Sequence, residues 1–415
     1  MSQSPIKRQL LDFGSPGMEV PFTRAEYRTR LNRIRTAMEQ SGIELLYLSS
    51  PESLHYVSGF QAEWYQASGP IGWAAQSGIA IHVDQDEFIH FEREHEKVLV
   101  RYSAASRDVR IPREDEKWEL LDFIVRELHR EGWLGGKVGL EMFAYRPSRG
   151  DSERFQKALE NHDCTVVDAT SLVQEVRRIK SPQERSFTRT AARIGDHGMR
   201  AAASVMRAGI MELEVYGEII RAMAGVGGEN PGITIPVNSG LKSAASHGLA
   251  SRKIIMPGEV VHIDLCGVYN RYHSNLSRSF YVGEPPARLV EMVAASAGSF
   301  DVLQDLLTPG VPINDVMKEM RGYYEDCGLW PHQRWIGGYE LGVALPPDWV
   351  GPSFWDIDTD HGQRCFDAGM VGNFESQFFL PCMAGASVLI DTMLFDDDHG
   401  ELLHQFNREL IVVDN

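Results

Sequence analysis

No Cys-x-x-Cys pair occurs in this chain, and its five cysteines (Cys164, Cys266, Cys327, Cys365, Cys382) are odd in number. That argues against a disulfide framework and for a reducing compartment, the cytoplasm. Long apolar runs are missing too. No hydrophobic stretch approaches the roughly 20 residues that a membrane helix needs, and the opening MSQSPIKRQLLDFGSPG lacks an apolar signal core. Positive charge is scarce: 41 Lys and Arg stand against 58 Asp and Glu, a net charge of −17 at pH 7. Such a balance opposes binding to nucleic acid and to an anionic membrane, so neither is an expected partner. Short tandem repeats and low-complexity tracts are absent. What remains is an ordinary globular composition, 43% hydrophobic and 24% charged, in 415 residues. That length suffices for two domains, each with its own core.

The first half alternates short aliphatic runs with amphipathic stretches. Residues 44–50, 79–83, 137–143 and 165–169 read as strands, and 25–41, 117–131 and 152–161 as helices. Strands alternating with helices argue for a layered α/β domain. A boundary follows at Arg178-Ile179-Lys180-Ser181-Pro182-Gln183-Glu184. There Ser181 can cap a helix, Pro182 suits its first turn, and Glu184 completes a capping box. The domains are therefore expected at 1–178 and 179–415. In the second, helices over 182–207, 212–225, 287–307 and 313–328 mix with strands near 232–238, 260–266, 277–282, 370–379, 387–394 and 409–413. Periodicity alone supports α+β. The acidic run Asp396-Asp397-Asp398 reads as a solvated hairpin turn.

Between Val260 and Gly283 the chain reads VVHIDLCGVYNRYHSNLSRSFYVG. This resembles the strand pair that bears the first two metal carboxylates of the pita-bread enzymes, the family of prolidase, aminopeptidase P, methionine aminopeptidase and creatinase. The family places two aspartates eleven residues apart; here Asp264 is followed, eleven residues on, by Asn275. Tyr339 takes the place of the metal histidine in Gly338-Tyr339-Glu340-Leu341-Gly342. Glu375 is kept after Gly369-Met370-Val371, while Ile390 replaces the last glutamate before Asp391-Thr392. Hard divalent ions need several oxygen or imidazole donors, and isoleucine offers none. No metal and no other cofactor is expected. Seventeen residues before Asp264, His247 matches the family's catalytic histidine, which in creatinase handles the proton without a metal. The junction at 178–184 also resembles the domain join of prolidase and creatinase. The resemblance implies a creatinase-type α/β domain followed by a C-terminal pita-bread domain, with paired helices covering one face of a curved antiparallel sheet.

Two narrower likenesses point to the metal-free branch. Gly267-Val268-Tyr269-Asn270-Arg271-Tyr272-His273 and Pro346-Pro347-Asp348-Trp349 are similar to segments of ectoine hydrolases, where tyrosine also replaces the metal histidine. The implied activity is metal-independent hydrolysis of a C–N bond, in an amidine, guanidine or cyclic amide of a small cationic or zwitterionic metabolite. His247 is expected to move the proton. Asp264 and Glu375 would hold a cationic group, activate water or attack directly, with Tyr339 as a hydrogen-bond donor. Asn275 is read as filling space left by a lost ion. Trp64 and Tyr65 are expected to stack on the substrate from the partner subunit of a homodimer with a composite site. His273, Arg334 and Trp335 complete the candidate substrate contacts, with His332 beside them. Competing readings are a prolidase-type metallopeptidase or single-metal lyase, which lack a full cage, and a binding module without catalysis, against which His247 and both carboxylates speak.

Overall fold

A computed structural model of the chain describes residues 19–62, 77–113, 120–144, 147–245, 247–380 and 386–413. The chain divides into two compact units, Met1–Arg177 and Arg178–Asn415. In the first, β1 (Leu45–Leu48), β2 (Gly78–His82), β3 (Ile89–Phe91), β4 (Asp108–Arg110), β5 (Lys137–Leu140) and β6 (Thr165–Asp168) form one sheet in the order β4-β3-β2-β1-β5-β6. The central strand shows why it is layered. Leu46 and Leu48 pack with Ile34 and Met38 of helix Arg24–Ser41, whereas Leu45 and Tyr47 pack with Ile124 and Leu128 of helix Leu120–Arg130. A strand apolar on both faces must be covered on both. Helix Pro51–Ser58 and strands β3 and β4 escaped the periodicity reading because each is too short to show a period.

The second unit contributes β7 (Val237–Ser239), β8 (Val260–Tyr269), β9 (Tyr272–Val282), β10 (Val311–Pro312), β11 (Gln333–Tyr339), β12 (Phe354–Asp356), β13 (Cys365–Phe366), β14 (Val371–Phe379), β15 (Ala386–Phe395), β16 (Gly400–Leu402) and β17 (Ile411–Val413). Apart from the β10–β13 ribbon they make one nine-stranded sheet along β12-β11-β14-β15-β9-β8-β7, with β16 beside β15 and β17 beside β9. Helix Pro182–Val205 starts on the expected capping box: Ser181 Oγ accepts from Glu184 N–H at 3.3 Å, and Glu184 Oε2 from Ser181 N–H at 2.8 Å. This helix and Glu212–Gly225 cover β8 and β9; Ala287–Leu306 and Ile313–Asp326 cover β14 and β15. Gly267 permits the first of these contacts, since a Cβ there would lie 1.9 Å from Ala191 O. The expected strand over 232–238 shrinks to Val237–Ser239, because Pro231 and Pro236 withhold N–H donors. Among the described residues no helix is long and apolar enough to cross a membrane.

Alternation along the strands divides the sheet into two faces. On β8, Val261, Ile263 and Leu265 pack under the helices, while His262 and Asp264 line a cavity on the other side. On β14, Phe374 and Phe378 meet the helices, while Glu375 and Gln377 line the cavity. The register carries this across neighbouring strands: Asp264 pairs with Ser277, Ser277 with Ile390, and Ile390 with Glu375. The β8–β9 turn is Asn270-Arg271, both at positive φ (49° and 64°), a two-residue turn whose twist suits a hairpin. A fixed turn fixes the register, and it sets Asn275 opposite Cys266, diagonally beside Asp264.

The acidic run does form the β15–β16 turn, but Asp396 is more than solvated. It is ion-paired with Arg185 at 3.0 Å and with Arg189, tying the turn to helix Pro182–Val205. On the helix side of the sheet, Arg278 and Asp391 are both fully buried and 3.3 Å apart. Arg278 also donates to the carbonyls of Ser277, Ile390, Phe406 and Asn407. Removing one partner of such a pair strands the other charge. Asp391→Ala should therefore lower the unfolding free energy of this unit by about 3–5 kcal/mol, read from urea denaturation; an unchanged midpoint would contradict the assignment.

Candidate active site

The cavity on the face of the nine-stranded sheet opposite the four covering helices has a volume of about 590 Å³, room for a metabolite-sized ligand. Of the residues singled out from sequence, His247, Asp264, Arg334, Trp335, Tyr339 and Glu375 all line it. Trp64 and Tyr65 lie outside the described residues. His273 does not belong there, which corrects the expectation of a substrate contact. It is fully buried, its Nε2 accepts from Gly232 N–H at 2.9 Å, and its Nδ1 lies 3.0 Å from Arg271 O. Both ring nitrogens are committed to the backbone, and burial drops its pKa to about 3. His332 meets Arg288 at the surface instead.

Asp264 and Glu375 are joined by a chain of amides. Asn275 Nδ2 donates to Asp264 Oδ1 at 2.7 Å and to Leu265 O at 3.3 Å. Asn373 Nδ2 donates to Asn275 Oδ1 at 2.8 Å and to Glu375 Oε1 at 2.9 Å. Gln377 Nε2 supplies Glu375 Oε2 at 2.6 Å. Tyr339 orients both asparagines: its N–H donates to Asn373 Oδ1 at 2.7 Å and its hydroxyl to Asn275 Oδ1 at 3.4 Å, while Trp349 Nε1–H donates to that hydroxyl at 3.0 Å. Asn275 is thus no space filler; all its amide groups are engaged. Tyr339 directs its single hydroxyl hydrogen into this chain and not into the cavity.

Electrostatics follow from this setting. Desolvation raises Asp264 to about 6, against the pull of its Asn275 hydrogen bond. Glu375, 5% exposed, is pushed up to about 8 by desolvation and then by the Asp264 charge, opposed by Gln377 and Asn373. Tyr339 is driven well above its ordinary range by burial and by both carboxylates, so it stays a neutral donor. Between about pH 6 and about pH 8 the carboxyl pair therefore holds one proton. Both groups bind protons more tightly in the folded chain than when unfolded. Their contribution to stability is complete below the ordinary carboxylate range and is lost as pH rises through about 8.

His247 is exposed within the lining, on a segment anchored by Glu212. That carboxylate is fully buried and accepts from Ser239 N–H (3.0 Å) and Oγ (2.8 Å), Ser251 N–H (3.0 Å) and Oγ (2.9 Å), and Lys242. Arg334 donates to Ala244 O and so braces the same segment. Reasoning from sequence missed Asn373, Gln377, Trp349, His262 and Asn238. Strand parity held the signal for three of them: Asn373 and Gln377 flank Glu375 at two residues, and His262 precedes Asp264 by two.

The donor set does not fit a pair of divalent ions. Ile390, 1% exposed, presents hydrocarbon, and the amides of Asn275, Asn373 and Gln377 direct N–H groups at the carboxylate oxygens an ion would need. Among the described residues, the only three His, Cys, Asp or Glu side chains whose ligand atoms lie within 4.8 Å of one another are Asp396, His399 and Glu401, at the β15–β16 turn.

Comparison with known proteins places the chain. Residues 186–396, just over half of it, match the model of metallopeptidase family M24, and residues 30–179 match the creatinase/prolidase N-terminal domain. The chain belongs to the metallopeptidase M24 family of hydrolases, with a creatinase-type N-terminal domain and a pita-bread domain. Among relatives, an ectoine hydrolase of Halomonas elongata is 26% identical over 95% of this chain and 99% of its own. A creatinase of Bacillus sp. is 22% identical over 90% and 89%. Among solved structures, an Xaa-Pro dipeptidase from Bacillus anthracis superposes with a TM-score of 0.75 at 21% identity, over 93% of this chain and all of that one, a likeness of fold.

A cation entering between the two carboxylates should expel the proton they share. Calorimetric titration of a cationic ligand near pH 7, in buffers of different ionisation enthalpy, should show about one proton released per site; heats independent of buffer would contradict the shared proton.

Proposed function

We propose that this protein hydrolyses a C–N bond of a small cationic or zwitterionic nitrogenous metabolite, an amidine, guanidine or cyclic amide, without a metal ion. The observation that carries the reading is the amide chain from Asp264 through Asn275 and Asn373 to Glu375. It occupies with N–H donors the carboxylate oxygens that a dinuclear hydrolase would offer to its ions. The likeness to an ectoine hydrolase and a creatinase, extending over both domains, supports it.

In this reading Asp264 holds the cationic group of the substrate. His247 takes a proton from water as its oxygen attacks the carbon. That proton passes from His247 to the leaving nitrogen as the C–N bond breaks, while Glu375, its own proton expelled by the substrate's cation, joins Asp264 in holding that group. Trp335 and Arg334 border the rest of the substrate. The protein works as a cytoplasmic homodimer in which Trp64 and Tyr65 close the partner's cavity. Mixing His247→Ala with Trp64→Ala subunits, each inactive alone, should restore part of the activity once exchange is demonstrated; no recovery would place these aromatics elsewhere.

The first test is a screen of creatine, ectoine, hydantoins and guanidino acids for amine or ammonia release, with metal analysis alongside. Turnover should survive chelation, and His247→Ala should reduce it by about 10²–10⁴. Two ions per chain, with chelator-sensitive turnover restored by manganese or cobalt, would instead establish the metallopeptidase chemistry of the family.

A further inference from the structure

Two buried polar atoms of residues in the cavity wall have no partner among the described residues. Asn238 is 3% exposed and its Oδ1 accepts no hydrogen bond; His262 is 5% exposed and its Nε2 makes none. They are register partners on β7 and β8, and both line the cavity. Buried polar atoms are almost always met, so two unmet ones side by side on a cavity wall call for a ligand that meets both.

Their hydrogen-bonding sense is set from behind. Ser279 is fully buried; its Oγ accepts from Val388 N–H at 3.2 Å and lies 3.0 Å from His262 Nδ1. That ring nitrogen is the one acceptor within reach of the Ser279 hydroxyl among the described residues, so the hydroxyl donates to Nδ1 and the ring hydrogen sits on Nε2. His262 therefore carries its ring hydrogen on Nε2, a buried atom of a residue in the cavity wall. Asn238 Nδ2 donates to Ala245 O at 3.5 Å, which leaves Oδ1 as the acceptor. Gly248 keeps that acceptor clear, since a Cβ there would come within 2.5 Å of it. Arg334 lines the same cavity, and a cation nearby makes an anionic oxygen the better complement to the His262 N–H.

We propose that His262 and Asn238 form a subsite for a ligand that carries a carboxylate beside an N–H, the carboxylate accepting from His262 Nε2 and the N–H donating to Asn238 Oδ1. His262 and Asp264 are two residues apart on one strand, roughly 6.6 Å, so one short molecule spans both. This deepens the functional reading by naming the unreactive end of the metabolite, and it rests on that reading only in taking the cavity as the ligand site.

The test uses N-acetylglycine, which has the carboxylate and the N–H but no cation. N-acetyl-N-methylglycine lacks the N–H, and N-acetylglycinamide lacks the carboxylate. In titrations of the full-length protein followed by NMR, N-acetylglycine should bind, about fivefold more tightly than the methylated probe and about tenfold more tightly than the amide. Asn238→Leu should erase the first preference. His262→Phe should weaken N-acetylglycine about tenfold, with partial rescue by His262→Gln, whose amide N–H stands in for Nε2–H. Equal binding of the three probes by the unaltered protein overturns the subsite, as does no binding at about 20 mM, or folded variants with unchanged selectivity. If the variants fail to fold, the probe comparison on the unaltered protein decides alone. Selective binding of N-acetylglycine together with failure of every C–N substrate would overturn the hydrolase reading and leave the subsite standing.

Discussion

Two carboxylates share a low-dielectric cavity, and the hydrogen bonds of two asparagines hold them there with a single proton between them. Like charges so placed cannot both ionise cheaply, and the answer in this chain is amides in place of an ion. The rest of the site serves that arrangement. Tyr339 and Trp349 lock the amides from one side. From the other, Thr392 Oγ1 accepts from Asn275 N–H at 2.8 Å and donates back to Asn275 O at 3.0 Å. His404 Nε2 lies 3.2 Å from Thr392 Oγ1, and its Nδ1 lies 3.1 Å from Asp196 Oδ1. The position of Asn275 is thus tied back to helix Pro182–Val205.

Strand alternation keeps structure and chemistry apart. On β8, Val261, Ile263 and Leu265 bury hydrocarbon under the helices while His262 and Asp264 meet the cavity, and the two-residue turn reverses the parity on β9, where Leu276 and Phe280 are buried and Ser277 lines the cavity. The buried Arg278–Asp391 pair lies on the helix side, and its neighbours Ser277 and Ile390 lie in the cavity wall. Motif residues that look alike in sequence therefore do different work: Asp391 braces the sheet, while Asp264 faces the ligand space.

Much of this was legible in the sequence. The capping box at Ser181 and the helices after it follow from local chemistry, and the pairing of Asp264 with Glu375 follows from family spacing. The errors have physical reasons. His273 has the parity of Asn275 and Ser277, but it stands at the turn end of β9, where the Gly232 backbone covers it. Asn275 reads as filler in the sequence because its value lies in partners that no spacing rule reveals, above all Asn373 on a strand nearly a hundred residues away. His262 and Asn238 pass unnoticed until strand pairing sets them side by side.

The shared proton is the claim on which the metal-free account stands, and it is open to direct observation. Infrared difference spectra of the unaltered protein and Glu375→Gln should show, near pH 7, one protonated carboxyl band that is absent from the variant and fades as pH rises through about 8. Loss of that band already near the ordinary carboxylate range, with both groups ionised at neutrality, would contradict the account and return the cavity to metal chemistry.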